Sequence, residues 1–245
     1  MFDLHIAGGL ARLVLNRPEA RNAIPFSGWA ELAAAVQQAE AAGAQMLVVS
    51  GHPGGSFCAG ADMAAFHAFA TDPDARTAFR LAIRQGLDAL RDTPLVTLAV
   101  VEGHCYGAGV ALAMACDTRF GGYEAEFAIT PAKFGIAYPQ EDVHRLVALL
   151  GPGQASRLLF GAQAIDSQEA VRIGLLDRAF AANVATGVDE FIKAVMANDP
   201  ASLRTLKRGI RLAMAGVASD PEQDHAFDDL LGSETLVARL AARRK

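Results

Sequence analysis

Apolar and polar positions follow two rhythms along this chain. "FDLHI" and "LARLVLN" alternate, are separated by Gly8-Gly9 and stop at Arg17-Pro18, which predicts a β-hairpin. From Ser27 the Ala-rich run "GWAELAAAVQQAEAAGA" has helical spacing, closed by Gly43. "QMLVVSG" and "LVTLAVVEG" are short, continuously apolar runs, the pattern of strands buried on both faces. Between them a helix begins near Met63 and stops before Asp72-Pro73. A second covers 74–91, with Phe79, Ile83, Leu87 and Leu90 on one face, and breaks at Thr93-Pro94. An apolar helix follows over 108–116. "DTRFGG" and "AEFAIT" predict short strands, "EDVHRLVALLG", "GQASRLLFG" and "SQEAVRIG" helices, "LLDRAF" a brief strand, and the chain from Asn183 onward four helical segments. Strands alternate with helices to about residue 180 and helices dominate afterwards, so the expected class is an α/β core with a C-terminal helical subdomain.

Composition narrows the function classes. With 245 residues, 52% apolar and 20% charged, the chain can bury a sizeable core and is not disordered. A net charge of −5 and the lack of any internal Lys/Arg block argue against a nucleic-acid binder. The C-terminal "ARRK" reads as a solvated helix end. Cys58, Cys105 and Cys116 are odd in number, sit among apolar neighbours and form no Cys-x-x-Cys. Packed thiols in a reducing compartment are expected, not a disulfide frame or zinc site. "MFDLHIAGGLARL" lacks the basic and apolar regions of a signal peptide, and no apolar run reaches the ~18 residues of a membrane span, so a soluble cytoplasmic protein is expected. No His or carboxylate pair has metal-ligand spacing, and no metal is expected.

Two stretches stand out for how little side-chain chemistry they carry. "GHPGGSFCAGADM" follows the first buried strand and "EGHCYGAGVALAMACD" the second, and each leads into a helix. Small residues let a ligand approach main-chain N–H groups closely. Two such loops side by side would aim amide donors at one oxygen, an oxyanion hole built from backbone. The Gly103-x-x-x-Gly107-x-Gly109 spacing also occurs in dinucleotide-binding folds, but there it follows the first strand, and this chain has no Tyr-x-x-x-Lys. For Cys105, Ala113 and Ala115, small size reads as a packing requirement.

With these segments in view the chain resembles the enoyl-CoA hydratase/isomerase, or crotonase, family. The similar stretches, in order, are "LNRPEARNAI", "SFCAGADM", "EGHCYGAGVALAMACDTRF", "AEFAITPAKFGI", "LLFGAQAIDSQEAVRIGLLDRAF" and "AFDDLLGSE". The resemblance implies a crotonase-like spiral of β-β-α units over residues 1–185 and a C-terminal helical oligomerisation region over 186–245, in trimers or pairs of trimers. It implies an acyl-CoA thioester as substrate, with coenzyme A part of that substrate and no tightly bound cofactor. It places the oxyanion donors at the amides of Ala61 and Ala108. The main chain of Ala23, Ala59, Asp62 and Met63 falls where the family cradles coenzyme A. Arg17 or Arg21 would face the phosphates, and Phe227 would reach a neighbour's adenine. Asp62 itself reads as a helix cap.

The chain also departs from the family. Hydratases use two glutamates, and the matching positions here hold Ala111 and Pro131, neither of which transfers protons. "FAITPAKFGIAYP" resembles the methylmalonyl-CoA decarboxylase branch, which carries a Tyr at the Tyr138 position. That branch, however, has a His where Ala61 stands and keeps the Glu that Ala111 replaces. The candidates for proton transfer are Tyr138 and Glu141, the latter if burial raises its pKa. Glu141 and Asp142 otherwise read as acids opening a helix, and His104 and His144 as packed or helix-face residues. Three readings follow: a thioester-enolate enzyme of the hydratase/isomerase type, a decarboxylase using Tyr138, or a non-catalytic acyl-CoA-binding oligomer.

Overall fold

A computed structural model describes residues 1–181 and 183–242. The strands are β1 (Phe2–Ala7), β2 (Leu10–Leu15), β3 (Met46–Ser50), β4 (Val96–Val101), β5 (His104–Tyr106), β6 (Thr118–Gly122), β7 (Glu126–Ala128), β8 (Ile165–Asp166) and β9 (Arg178–Phe180). The helices are α1 (Gly28–Ala41), α2 (Phe66–Phe69), α3 (Pro73–Asp92), α4 (Ala108–Met114), α5 (Gln140–Gly161), α6 (Ser167–Ile173), α7 (Val184–Met196), α8 (Pro200–Met214), α9 (Pro221–Leu231) and α10 (Glu234–Ala242). α5 is two helices joined at Gly151, whose φ of 75° breaks the helical course just before Pro152.

β1 and β2 form the expected hairpin, and β3, β4, β6 and β9 add to it in parallel, in the order β1-β2-β3-β4-β6-β9. Continuous apolarity in β3 and β4 has the predicted cause, because both faces are covered. Leu47, Val49, Ala99 and Val101 join the main core with α1, α3 and α4. Met46, Val48, Leu98 and Val100 meet Phe120 and the Val188, Ile192 and Val195 face of α7. Ile83, Leu87 and Leu90 bury the predicted face of α3.

A second, smaller sheet was not legible as such. β5 and β7 run parallel, and β8 pairs antiparallel to β7. Cys58 adds a single bridge to Cys105, extending this sheet by one segment. Each strand–strand–helix unit therefore contributes once to each sheet: β3 and the Cys58 segment, β4 and β5, β6 and β7. This is the spiral of a crotonase-like fold. It carries each chain passage from the large sheet straight into the loops that follow it.

α7 packs on the large sheet, so residues 185 and 186 lie within a helix whose apolar face belongs to the core. α8 is tied down by Lys207, which is buried and donates to the Leu95 carbonyl at 2.6 Å while pairing with Asp117 at 2.8 Å. On their other faces the C-terminal helices leave Leu206, Ile210, Met214, Phe227, Leu231, Val237 and Leu240 exposed. Among the described residues no helix is long and apolar enough to cross a membrane.

Candidate active site

The two glycine-rich loops lie backbone against backbone. Phe57 N–H donates to Glu102 O at 2.9 Å, Cys58 N–H to His104 O at 3.0 Å, and Tyr106 N–H to Cys58 O at 2.9 Å. The approach is close enough to exclude side chains. A Cβ at Gly109 would stand 2.3 Å from Cys58 O, and one at Gly60 would stand 2.9 Å from Tyr106 O and 3.3 Å from Ala108 N. Gly60 directly precedes Ala61, so the Gly60–Ala61 peptide sits against the start of α4. Gly60 (φ 103°) and Gly107 (φ 51°, ψ −117°) both occupy backbone conformations that side-chain-bearing residues avoid.

A third segment, residues 21–24, closes the arrangement. Ala59 N–H donates to Arg21 O at 2.9 Å, Ile24 N–H to Gly60 O at 2.8 Å, and Asp62 N–H to Ile24 O at 2.8 Å. Asn22, buried, ties the same segment to the loop by donating to Ser56 O at 2.7 Å. These bonds occupy the Ala59 and Asp62 amides, and Gly60 N–H donates to Cys58 Sγ at 3.4 Å. Among the described residues, the N–H groups of Ala61 and Ala108 have no acceptor within the protein.

The coenzyme A candidates gather around the same loops. Asp62 accepts from Ala64 N–H at 2.9 Å and pairs with Arg17 at 2.6 Å. The Ala64 hydrogen bond first, and Arg17 second, hold its carboxyl below the usual range. It is therefore a cap, as its type suggests. Arg17 also donates to Ala23 O at 3.0 Å, so its charge is used internally. Arg21, in the left-handed region at φ 51°, and Met63 remain exposed. Phe227 is exposed on α9. A cleft of about 310 Å³ lies between the sheet and α7, lined by Val14, Val48, Val100 and Val188, and contains none of these candidates.

Tyr138 packs partly buried against the main core and donates its hydroxyl to Gly107 O at 3.0 Å. Burial first, and the Asp142 carboxylate second, push its phenol well above the ordinary value, so it stays protonated. Glu141 and Asp142 do open α5, but they face different ways. Glu141 is exposed, 3.8 Å from Arg84, while Asp142 turns inward to Arg84 at 3.2 Å and Arg145 at 3.7 Å. The physical reason is where the cations sit: Asp142 meets Arg84 of α3 and Arg145 one turn along its own helix, while Glu141 has only the more distant Arg84. Burial still raises the Asp142 carboxyl against the pull of both arginines. Arg84 and Arg145 went unnoticed in the sequence. Their i,i+4 and i,i+3 partners Asp88 and Asp142 were the only signal available. Ala111 is fully buried in α4, and Pro131 opens a single 3-10 turn at Pro131–Phe134. All three cysteines are buried free thiols.

Known proteins match both the chain and its architecture. The family model described as enoyl-CoA hydratase/isomerase matches residues 5–235. "Probable enoyl-CoA hydratase echA6" of Mycobacterium tuberculosis is 28% identical over 243 residues, covering 99% of this chain and 96% of the relative. The ethylmalonyl-CoA decarboxylase of Mus musculus is 29% identical over 209 residues, covering 82% of this chain and 64% of the relative. A solved enoyl-CoA hydratase/isomerase family protein from Hyphomonas neptunium superposes with a TM-score of 0.93 at 34% identity, covering 98% of this chain and 93% of that one. Sequence match, fold and loop arrangement agree along nearly the whole length, and the chain belongs to the enoyl-CoA hydratase/isomerase family.

Proposed function

We propose that this protein is an acyl-CoA enzyme that stabilises a thioester enolate between the amides of Ala61 and Ala108. The observation that carries the reading is the pair of unsatisfied N–H groups on two loops locked together by backbone contact. Negative charge that develops on a thioester oxygen would be held by both donors, and removing one such donor typically costs ~10²–10³ in kcat. The exposed Arg21 and the main chain of Ala23, Ala59, Asp62 and Met63 would bind the coenzyme A portion of the substrate. Phe227 would reach the adenine bound by a neighbouring subunit. Exposed apolar side chains on α8–α10 support a homotrimer or a pair of trimers, and the buried thiols fit a cytoplasmic setting.

Ala111 and Pro131 stand where the family resemblance puts the hydratase glutamates, so addition of water lacks its usual acid–base pair. That favours a second reading, decarboxylation of a malonyl-type thioester. The bond to the carboxylate breaks, its electron pair passes into the thioester enolate, carbon dioxide leaves, and a proton is added at the α carbon. Such a step needs enolate stabilisation and no strong base. The likeness to ethylmalonyl-CoA decarboxylase supports it. Tyr138 and Glu141 are the side chains to substitute when looking for a proton donor.

The test is a panel of crotonyl-CoA, methylmalonyl-CoA and ethylmalonyl-CoA, following enoyl loss and carbon dioxide release alongside binding by calorimetry. Turnover of one of them supports an enzyme and identifies the class. Binding of all with turnover of none overturns the enzyme and leaves the acyl-CoA-binding oligomer.

A further inference from the structure

We propose that Tyr138 is a positioning residue that holds the Gly107–Ala108 peptide by its carbonyl and so aims and strengthens the Ala108 amide. This rests on the oxyanion reading above and goes beyond it. A peptide unit is planar, so the direction of its C=O fixes the direction of its N–H. Gly107 O and Ala108 N are the two ends of one such unit. The Tyr138 hydroxyl donates to that oxygen at 3.0 Å, from 31 residues away. Gly107 precedes α4 at φ 51° and ψ −117°, outside the helical region, and its carbonyl also accepts from Val110 N–H at 3.0 Å and, at greater length, Ala111 N–H at 3.4 Å in the first turn of that helix. Tyr138 adds to that carbonyl a donor from outside the helix, while the preceding peptide is pinned separately by Gly107 N–H donating to Ala128 O at 2.8 Å.

The first loop has the same device made from main chain. Gly60 O, the far end of the Gly60–Ala61 peptide, accepts from Ile24 N–H at 2.8 Å. Both candidate donors therefore belong to peptides whose carbonyl is held by a donor from elsewhere in the chain. The long-range restraint is a main-chain amide in the first loop and a side-chain hydroxyl in the second. A hydrogen bond to a carbonyl polarises the amide at the other end, with estimates of ~10–30% strengthening per bond. The hydroxyl proton given to Gly107 O is not free for the substrate, which separates this role from that of a proton donor.

The experiment uses an accident of the sequence. Gly–Ala steps occur four times, at Gly43–Ala44, Gly60–Ala61, Gly107–Ala108 and Gly161–Ala162. Protein labelled with carbonyl-¹³C glycine and ¹⁵N alanine therefore shows those four amides alone in a carbonyl-edited spectrum. Tyr138→Phe keeps the ring and removes the donor. The Ala108 nitrogen is expected to move upfield beyond the spread of the other three, and kcat to fall about tenfold, a fraction of a full donor loss, with KM within twofold. Should Tyr138→Phe fail to fold, global meta-fluorotyrosine incorporation keeps the hydroxyl and strengthens it as a donor. The Ala108 nitrogen should then move the opposite way. An Ala108 resonance that stays with the other three in both samples overturns the proposal, as does a kcat loss without any such shift, which would mark Tyr138 as a proton donor. A wild-type protein that turns over no acyl-CoA would instead sink the proposed activity, while the resonance still reports the hydrogen bond by itself.

Discussion

Substituting Gly109→Ala places a methyl group where the two loops touch. The added carbon would lie 2.3 Å from Cys58 O, 3.0 Å from Cys58 Cβ and 3.1 Å from Cys58 C. A carbon–oxygen contact relaxes at about 3.3 Å, so the loops must part by roughly 1 Å. The obstructing atoms are mainly backbone, and no flexible side-chain end can swing aside. Overpacking of this kind costs about 1–3 kcal/mol of stability, a Tm fall of about 2–12 °C for a chain of this size. The catalytic cost is larger. A misplacement of about 1 Å can lose ~10² in rate, so kcat on the substrate found in the panel should fall about a hundredfold with KM nearly unchanged. Gly153→Ala is the control, because its methyl would meet nothing within 4 Å. It should leave kcat alone and add up to about 1 kcal/mol of stability. Steady-state kinetics and thermal unfolding of both variants decide the matter. A Gly109→Ala enzyme within threefold of wild-type kcat would refute the argument that loop contact sets the donors.

Two further outcomes can be checked independently. Asp62 is held below the usual carboxylate range, so its contribution to stability is complete above the unfolded pKa of about 4 and is lost as pH falls through the lowered folded value. Asp62→Asn should lower stability modestly at pH 7, by less than about 1 kcal/mol for this part-exposed pair, and the gap should close as pH falls below the unfolded value of about 4. A gap that widens in acid would contradict this. Leu206 and Ile210 lie one helical turn apart and are each more than 60% exposed on α8. Sedimentation should show an oligomer for the wild type and monomers for Leu206→Glu combined with Ile210→Glu, and an unchanged mass for both would place the interface elsewhere.

How much of this could be read from residues alone depended on the range of the interactions. The hairpin, β3, β4 and α3 were legible because alternation, continuous apolarity and a heptad-like face are local signals. β5 and β8 were not. Three residues inside a glycine-rich loop, and two before α6, become strands only because β7 lies beside them. The glycine loops announced close backbone approach, though not which backbone would approach. Which acid turns inward was equally hidden, since Glu141 and Asp142 differ by about 100° around one helix and the choice is made by Arg84 on α3. Arg17 and Arg21 looked equivalent until Asp62 and Ala23 claimed the first. The role of Tyr138 needed its contact with Gly107, which no local pattern encodes.

A crystal structure with an unreactive acyl-CoA thioester analogue measures the donors themselves. The carbonyl oxygen should sit about 2.7–3.1 Å from both Ala61 N and Ala108 N, with the coenzyme A portion along residues 21–23 and 59–63. A thioester bound with its oxygen on any other donors, or with either nitrogen turned away from it, would contradict the backbone oxyanion hole.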